Sequence, residues 1–277
     1  MIDLHIHSRF SDGTDTIDDI IKIVKEKNIP AISLTDHDTT YGIKEITEKV
    51  KNENIIVVPG VEISSVSNGH LIHMLGYNID INNSQLQELL SLIGNYFKET
   101  FIEHYSYLVK NNLIDFDIDK IIKYTDYKQS IALPDILKAM IADGAPYTLK
   151  DWPEFFHSKV NHYHGHFIEK FPVHPSETVE VIRQAGGTAV FAHPARIGTD
   201  DLKEMELLLP HGLGGIEVYY PYHNTELLER YESFAAANDL LKTGGTDWHG
   251  KDLTTWNVEI GDYGIKDINN LGYLTSE

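Results

Sequence analysis

The sequence has no cysteine. Disulfides and thiolate metal ligands are therefore excluded, which suits a reducing cytosol. Long apolar runs are missing too. The longest, such as NIIVVPGV and GTAVFA, stop well short of the roughly 18 residues that a membrane span needs. No basic start is followed by an apolar segment of the signal-peptide kind, so a cytoplasmic protein with no membrane contact is expected. Basic residues are scarce: 23 Lys and Arg face 42 Asp and Glu, for a formal charge of −19. No Lys/Arg cluster offers a footprint for duplex DNA. A small anionic substrate would then need local positive charge, such as a bound metal. What remains is an ordinary apolar fraction, 42% of 277 residues, enough for one barrel-sized domain or a core domain with an insertion.

The elements alternate. IDLHIH reads as a buried strand, and TIDDIIKIVKEKN as a helix starting behind Asp15 or Thr16, with Ile17, Ile20, Ile21 and Val24 on one stripe. PAISLTDHD and IIVVPGVEI read as strands around a helical YGIKEITEKVKNEN. The same rhythm returns in TAVFAH, GGIEVYY and LLKTGGTDWH with helices between them. Such alternation predicts a mostly parallel sheet or barrel. The stretch between reads as helix without strand partners, so the chain divides into barrel segments at 1–83 and 171–277 and an inserted helical cap at 84–170.

On this map His5 and His7 share one face at the end of the first strand. Asp12 follows in SDG, His37 ends the second strand, Glu62 the third, and His73 lies in HLIHMLGY. His193 ends a late strand, and Asp247 and His249 end the last. Singly, each has a plain explanation: a strand histidine is more often a hydrogen-bonded core residue, and Asp12 could simply start a turn. Glu62 is harder to dismiss, because a carboxylate inside VVPGVEIS must be buried with a partner. The repeated pattern of apolar strand followed by His, Asp or Glu favours one shared site, since parallel barrel strands bring their C-terminal ends to one mouth. His70, His104, His174, His211 and His223 read as surface or packing residues. Imidazole and carboxylate without thiolate suit Zn, Mn, Fe or Co. Nine ligands exceed one ion, and two or three ions sharing carboxylates fit better.

DLHIHSRFSDGT, LTDHDT, PGVEIS, IHMLGY, FAHPAR and GTDWHG, in that order, resemble the motifs of the polymerase and histidinol phosphatase (PHP) family. The likeness spans about residues 1–82 and 173–260. It implies a distorted (β/α)7 TIM-like barrel and a site for two to three divalent transition-metal ions, Mn, Zn or Fe. By analogy His5, His7, Glu62 and Asp247 hold one ion, Glu62 bridges to a second with His73 and His193, and Asp12, His37 and His249 hold the third. The implied chemistry is hydrolysis of a phosphoester by water activated between ions, without a protein nucleophile. The implied substrate is a small phosphorylated molecule, a class that includes a nucleotide or a short RNA end. Oligomeric state is left open. Two further classes stay in view: amidohydrolase chemistry on a C–N bond, and a metal-binding module without turnover.

Around this centre, Arg196 is the candidate fork for a phosphate oxygen, Ser8 is expected to line the mouth, and Asp36 and Asp38 to orient imidazoles. Nucleotide-acting relatives carry an Arg-x-His phosphate grip in the cap, where this chain has Leu133 and Asp135 in SIALPDILKAM. Asp135 should repel phosphate there. Lys159 and His166 of HSKVNHYHGHF, with His162 and His164, are candidate replacements for the grip.

Overall fold

Buried along their whole length, β1 (Asp3–Ile6) and β2 (Ala31–Leu34) have the unbroken burial expected of strands covered on both faces. The computed structural model describes residues 1–125, 127–160, 168–254 and 257–266. Between these strands runs α1 (Ile17–Glu26), opened by a reciprocal capping box of Thr16 and Asp19, with Ile17, Ile20 and Val24 turned inward. After β2, α2 (Tyr41–Val50) buries Ile43, Ile46 and Val50 in the same way.

Seven strands follow chain order around one sheet, with β3 (Ile56–Ser67), β4 (His70–Tyr77), β5 (Thr188–Phe191), β6 (Gly215–Tyr219) and β7 (Leu241–Gly244) completing it. The pairs β1/β2, β2/β3, β5/β6 and β6/β7 are parallel. The ring is drawn together where the chain beyond β7 returns to β1: Ile6 bridges Trp248, and the His7 N–H donates to the Trp248 carbonyl at 2.8 Å. This is the distorted seven-stranded α/β barrel expected from the sequence. Tyr77 fills its interior beside Leu4, Leu75 and Val190, and its hydroxyl donates to the Leu4 carbonyl at 2.8 Å.

One part of the ring departs from the parallel reading. β3 does not stop near Ile63 but continues to Ser67, turns through Asn68 and Gly69 at φ 49° and 81°, and returns as antiparallel β4. The Asn-Gly pair is the signal for such a two-residue hairpin turn. As a result Glu62 stands mid-strand rather than at a strand end, and His73 lies on the returning strand of the same hairpin.

Outside the barrel pack α7 (Pro175–Gln184), α8 (Asp201–Leu208) and α9 (Thr225–Ala237). The intervening helical segment comprises α3 (Ser84–Lys110), α4 (Ile118–Tyr124), α5 (Pro134–Ala142) and α6 (Trp152–Phe155). At 27 residues, α3 is about 40 Å long. Its first turns place Leu86, Leu90 and Ile93 in the barrel's apolar cluster, while Phe101 and Leu108 join Ile121, Ile136 and Phe155 in a separate one. No described helix is long and apolar enough to cross a membrane.

Candidate metal centre

The nine candidate ligands meet at the barrel mouth. His5 and His7 leave β1 with their Nε2 atoms 3.0 Å apart, each facing Oε2 of Glu62 at 3.0 and 3.1 Å. Oδ1 of Asp247 completes the group at 3.4 Å from His5 and 3.1 Å from His7. All four residues are buried. Ligands each about 2.1 Å from one ion are separated by about 3.0–3.4 Å in octahedral or tetrahedral geometry, so this spacing fits a shared cation. The other Glu62 oxygen, Oε1, faces His73 Nδ1 at 3.0 Å and His193 Nε2 at 2.8 Å. Asp12 forms a third group with His7, His37 and His249, the last through Nε2 at 3.1 Å. His37 stands between groups, with Nδ1 3.2 Å from Glu62 and Nε2 4.0 Å from Asp12.

These contacts are not a satisfied hydrogen-bond network. Nδ1 of His7, His37 and His73 and Oδ1 of Asp12 are buried without an aligned partner, although oxygens or nitrogens lie close to each. Lone pairs converging in a low-dielectric pocket repel one another unless a proton or cation stands among them. The donor set therefore fits divalent borderline metals, with Glu62 offering one oxygen to each of two neighbouring groups.

Electrostatics show that the carboxylates favour positive charge at His5 and His7. Burial disfavours charge on every member, but around His5 the carboxylates of Glu217, Glu62 and Asp247 outweigh it and raise the imidazole well above its ordinary range. For His7 burial is again overcome, by Asp247 and Glu62, and the ring is pushed up to about 10. Burial wins at His37, which falls to about 3, and at His193, which falls to about 4 with Arg196 adding to the effect. Glu62 is held well below the usual carboxylate range, because His37, His5 and His73 outweigh its desolvation.

The backbone at the mouth is locally unusual. Asp38, His193 and Asp247 have φ of 54°, 26° and 52°. Such left-handed positions are costly for residues other than glycine, and they cluster where a turn must aim a side chain. At His193 the strained N–H is fixed by Glu217 Oε2 at 2.8 Å.

A family model for the PHP domain matches residues 3–170. The chain belongs to the PHP family. Among curated relatives, a phosphoribosyl 1,2-cyclic phosphate 1,2-diphosphodiesterase of Eggerthella lenta is 26% identical over 253 residues, covering 90% of this chain and 94% of that protein. A 3′,5′-nucleoside bisphosphate phosphatase of Chromobacterium violaceum is 27% identical over 251 residues, covering 90% of this chain and 87% of that one. Among solved structures, a Bifidobacterium adolescentis protein assigned as a metal-dependent phosphoesterase superposes with a TM-score of 0.82 at 25% identity, covering 99% of this chain and 94% of its own.

Within this PHP barrel the structure also brings forward a residue that the sequence reading passed over. Glu217, buried on β6, accepts at 2.8 Å from the His5 ring through Oε1 and from the His193 N–H through Oε2. A carboxylate on the far nitrogen of a ligating imidazole fixes its tautomer and orientation. Its signal was the one used for Glu62, a carboxylate inside an apolar strand, here GGIEVYY. Glu217→Gln should weaken metal binding by about 10–100-fold while the fold persists, as read by metal titration beside a thermal melt.

Several expectations around the centre are corrected. Ser8 does not line the mouth: it is buried, and its N–H and hydroxyl both donate to Asp36 at 2.7 Å. Asp36 therefore orients no imidazole but ties Ser8 and Ser11 together, and Asp38 binds the Ser64 N–H and hydroxyl at 2.8 Å. Asp135 does not face a substrate as a bare anion. It is buried against the Lys128 ammonium at 2.5 Å, which also donates to the Ser11 carbonyl. Lys138 reaches the carbonyls of Asp12 and Gly13. Two buried lysines of the helical segment thus clasp the loop that carries Asp12. Lys159 donates to the Leu113 carbonyl rather than reaching the mouth. His162, His164 and His166 lie outside the described residues. His104 and His223 are packing residues, bonded to the carbonyls of Val160 and Val218.

Arg196, expected as a phosphate fork, lies beside Asp247. One guanidinium nitrogen donates to Asp247 Oδ2 at 2.9 Å, the Tyr220 hydroxyl donates to the same oxygen at 3.0 Å, and the Arg196 side chain remains 44% exposed.

Proposed function

We propose that this PHP protein hydrolyses the phosphoester of a small molecule with two to three divalent ions held by His5, His7, Asp12, His37, Glu62, His73, His193, Asp247 and His249. The observation that carries the reading is the convergence of ligand atoms of His5, His7, Glu62 and Asp247 within 4.8 Å of one another, with both imidazoles 3.0–3.4 Å from the two carboxylates. Bound ions supply Lewis acidity, which lowers the pKa of water and neutralises phosphoryl oxygens.

The chain's own residues set the geometry for that chemistry. Glu62 couples two ligand groups rigidly, because both of its oxygens are engaged and it is buried. Glu217 and the turn at His193 fix the imidazoles from behind. Arg196, anchored by Asp247 and lying 5.6 Å from the Tyr220 ring centroid, offers its remaining N–H groups to a phosphate oxygen at the rim. Ser8 and Ser11, in the loop after β1, are not poised as nucleophiles, since both donate to Asp36.

The test is turnover by protein stripped of metal and reloaded with Mn or Zn. para-Nitrophenyl phosphate and its bis-ester should be hydrolysed, and an acyl-amide analogue should not. Amide hydrolysis without phosphate release would replace this reading with C–N bond chemistry.

A further inference from the structure

Beside Asp12, His37 and His73 opens a cavity of about 250 Å³ that extends under the helical segment. Its far wall is made by Leu71 of β4, Phe97 and Phe101 of α3, Leu133 before α5, and Trp152 and Phe156 of the α6 region. No Lys or Arg belongs to that wall among the described residues. The nearby ammonium groups are committed elsewhere, Lys128 and Lys138 to carbonyls of the Asp12 loop and Lys159 to Leu113. Asp12 and Asp38 contribute the carboxylates. His104 also lines the cavity, with Nε2 bonded to the Val160 carbonyl, so a second phosphate here would lose water and meet neither Lys nor Arg, whereas an aromatic ring would exchange water for aromatic edges and faces. Size permits it, since a cavity of roughly 150 Å³ accepts benzene.

We propose that this cavity holds the organic part of the substrate, and that this part is an uncharged aromatic group joined to phosphate by a short alkoxy link. The inference rests on the phosphoesterase reading and names its substrate class. In the reaction, the oxygen of water bonds to phosphorus as the P–O bond to the link breaks. The link oxygen leaves as the alcohol, taking a proton from that water.

The experiment compares kcat/KM of the metal-loaded full chain for benzyl phosphate, propyl phosphate and propane-1,3-diol bisphosphate. Benzyl alcohol is the slightly better leaving group, which by itself favours benzyl phosphate, so the change in their ratio on substitution of the wall, where that term cancels, is what reports the cavity. Benzyl phosphate should exceed propyl phosphate by at least about 10-fold, and the bisphosphate should gain nothing over propyl phosphate. In Trp152→Ala and Leu133→Gln the benzyl-to-propyl ratio should fall at least about 5-fold at equal metal content. Equal rates for benzyl and propyl phosphate, an unchanged ratio in both variants, or a preference for the bisphosphate would overturn the proposal. Calorimetric binding of benzylphosphonate against propylphosphonate separates the two levels of inference. Tighter benzylphosphonate binding without turnover of any ester would sink the phosphoesterase reading and keep the aromatic cavity.

Discussion

Glu62→Gln is expected to lower kcat/KM for a phosphomonoester by at least about 100-fold with little change in fold. The side chain is buried, and its oxygens face five imidazoles: His5, His7 and His37 through Oε2, His73 and His193 through Oε1. An amide keeps the shape but replaces one oxygen with an N–H₂ group, which cannot ligate a cation and would confront ring nitrogens with hydrogens. One of the two adjoining ligand groups must therefore fail, whichever way the amide turns. Steady-state kinetics, metal analysis and a thermal melt on the same preparation check the point. A variant keeping most of the wild-type rate with full metal content would refute the shared carboxylate.

Metal removal is the second large effect, and it is read without any assay of activity. Binding to the folded state alone stabilises by about 4 kcal/mol per ion at a thousandfold excess over Kd. A chain of this length gains about 2 °C per kcal/mol, so two ions should raise the melting temperature by roughly 15 °C. The physical basis is the wide separation of the ligands in sequence. His5, Glu62, His193 and Asp247 come from four parts of the ring, and a common ion ties these parts together. Chelation should reverse the shift, and reloading with Mn or Zn should restore it. A melt unchanged by loading, with metal analysis below one ion per chain, would remove the metal centre altogether.

The route from sequence to structure was uneven for physical reasons. The barrel was legible because fully buried strands need unbroken apolar runs, and α1 showed both its cap at Thr16 and its stripe of Ile17, Ile20 and Val24. Glu62 was legible because a carboxylate amid valines requires a partner. Glu217 obeys the same rule and was missed, since it contributes no motif residue of its own and acts through His5 and His193. The hairpin of β3 and β4 was missed although Asn68-Gly69 announces it, because an apolar run looks the same whichever way a strand points.

The sequence by itself determined the donor set: no thiolate, a strongly acidic chain, and imidazoles and carboxylates within or just after buried strands, a set that suits divalent ions. Local patterns are short-range, so one strand and its following residues suffice to show them. Only the tertiary structure decided how the groups combine. It placed Glu62 between two sets of imidazoles, turned Ser8 away to Asp36, and neutralised Asp135 with Lys128. It also set an aromatic wall against the ligand cluster by laying α3 and α6 across the mouth. Those outcomes depend on distances between residues far apart in the chain, and no local periodicity encodes them.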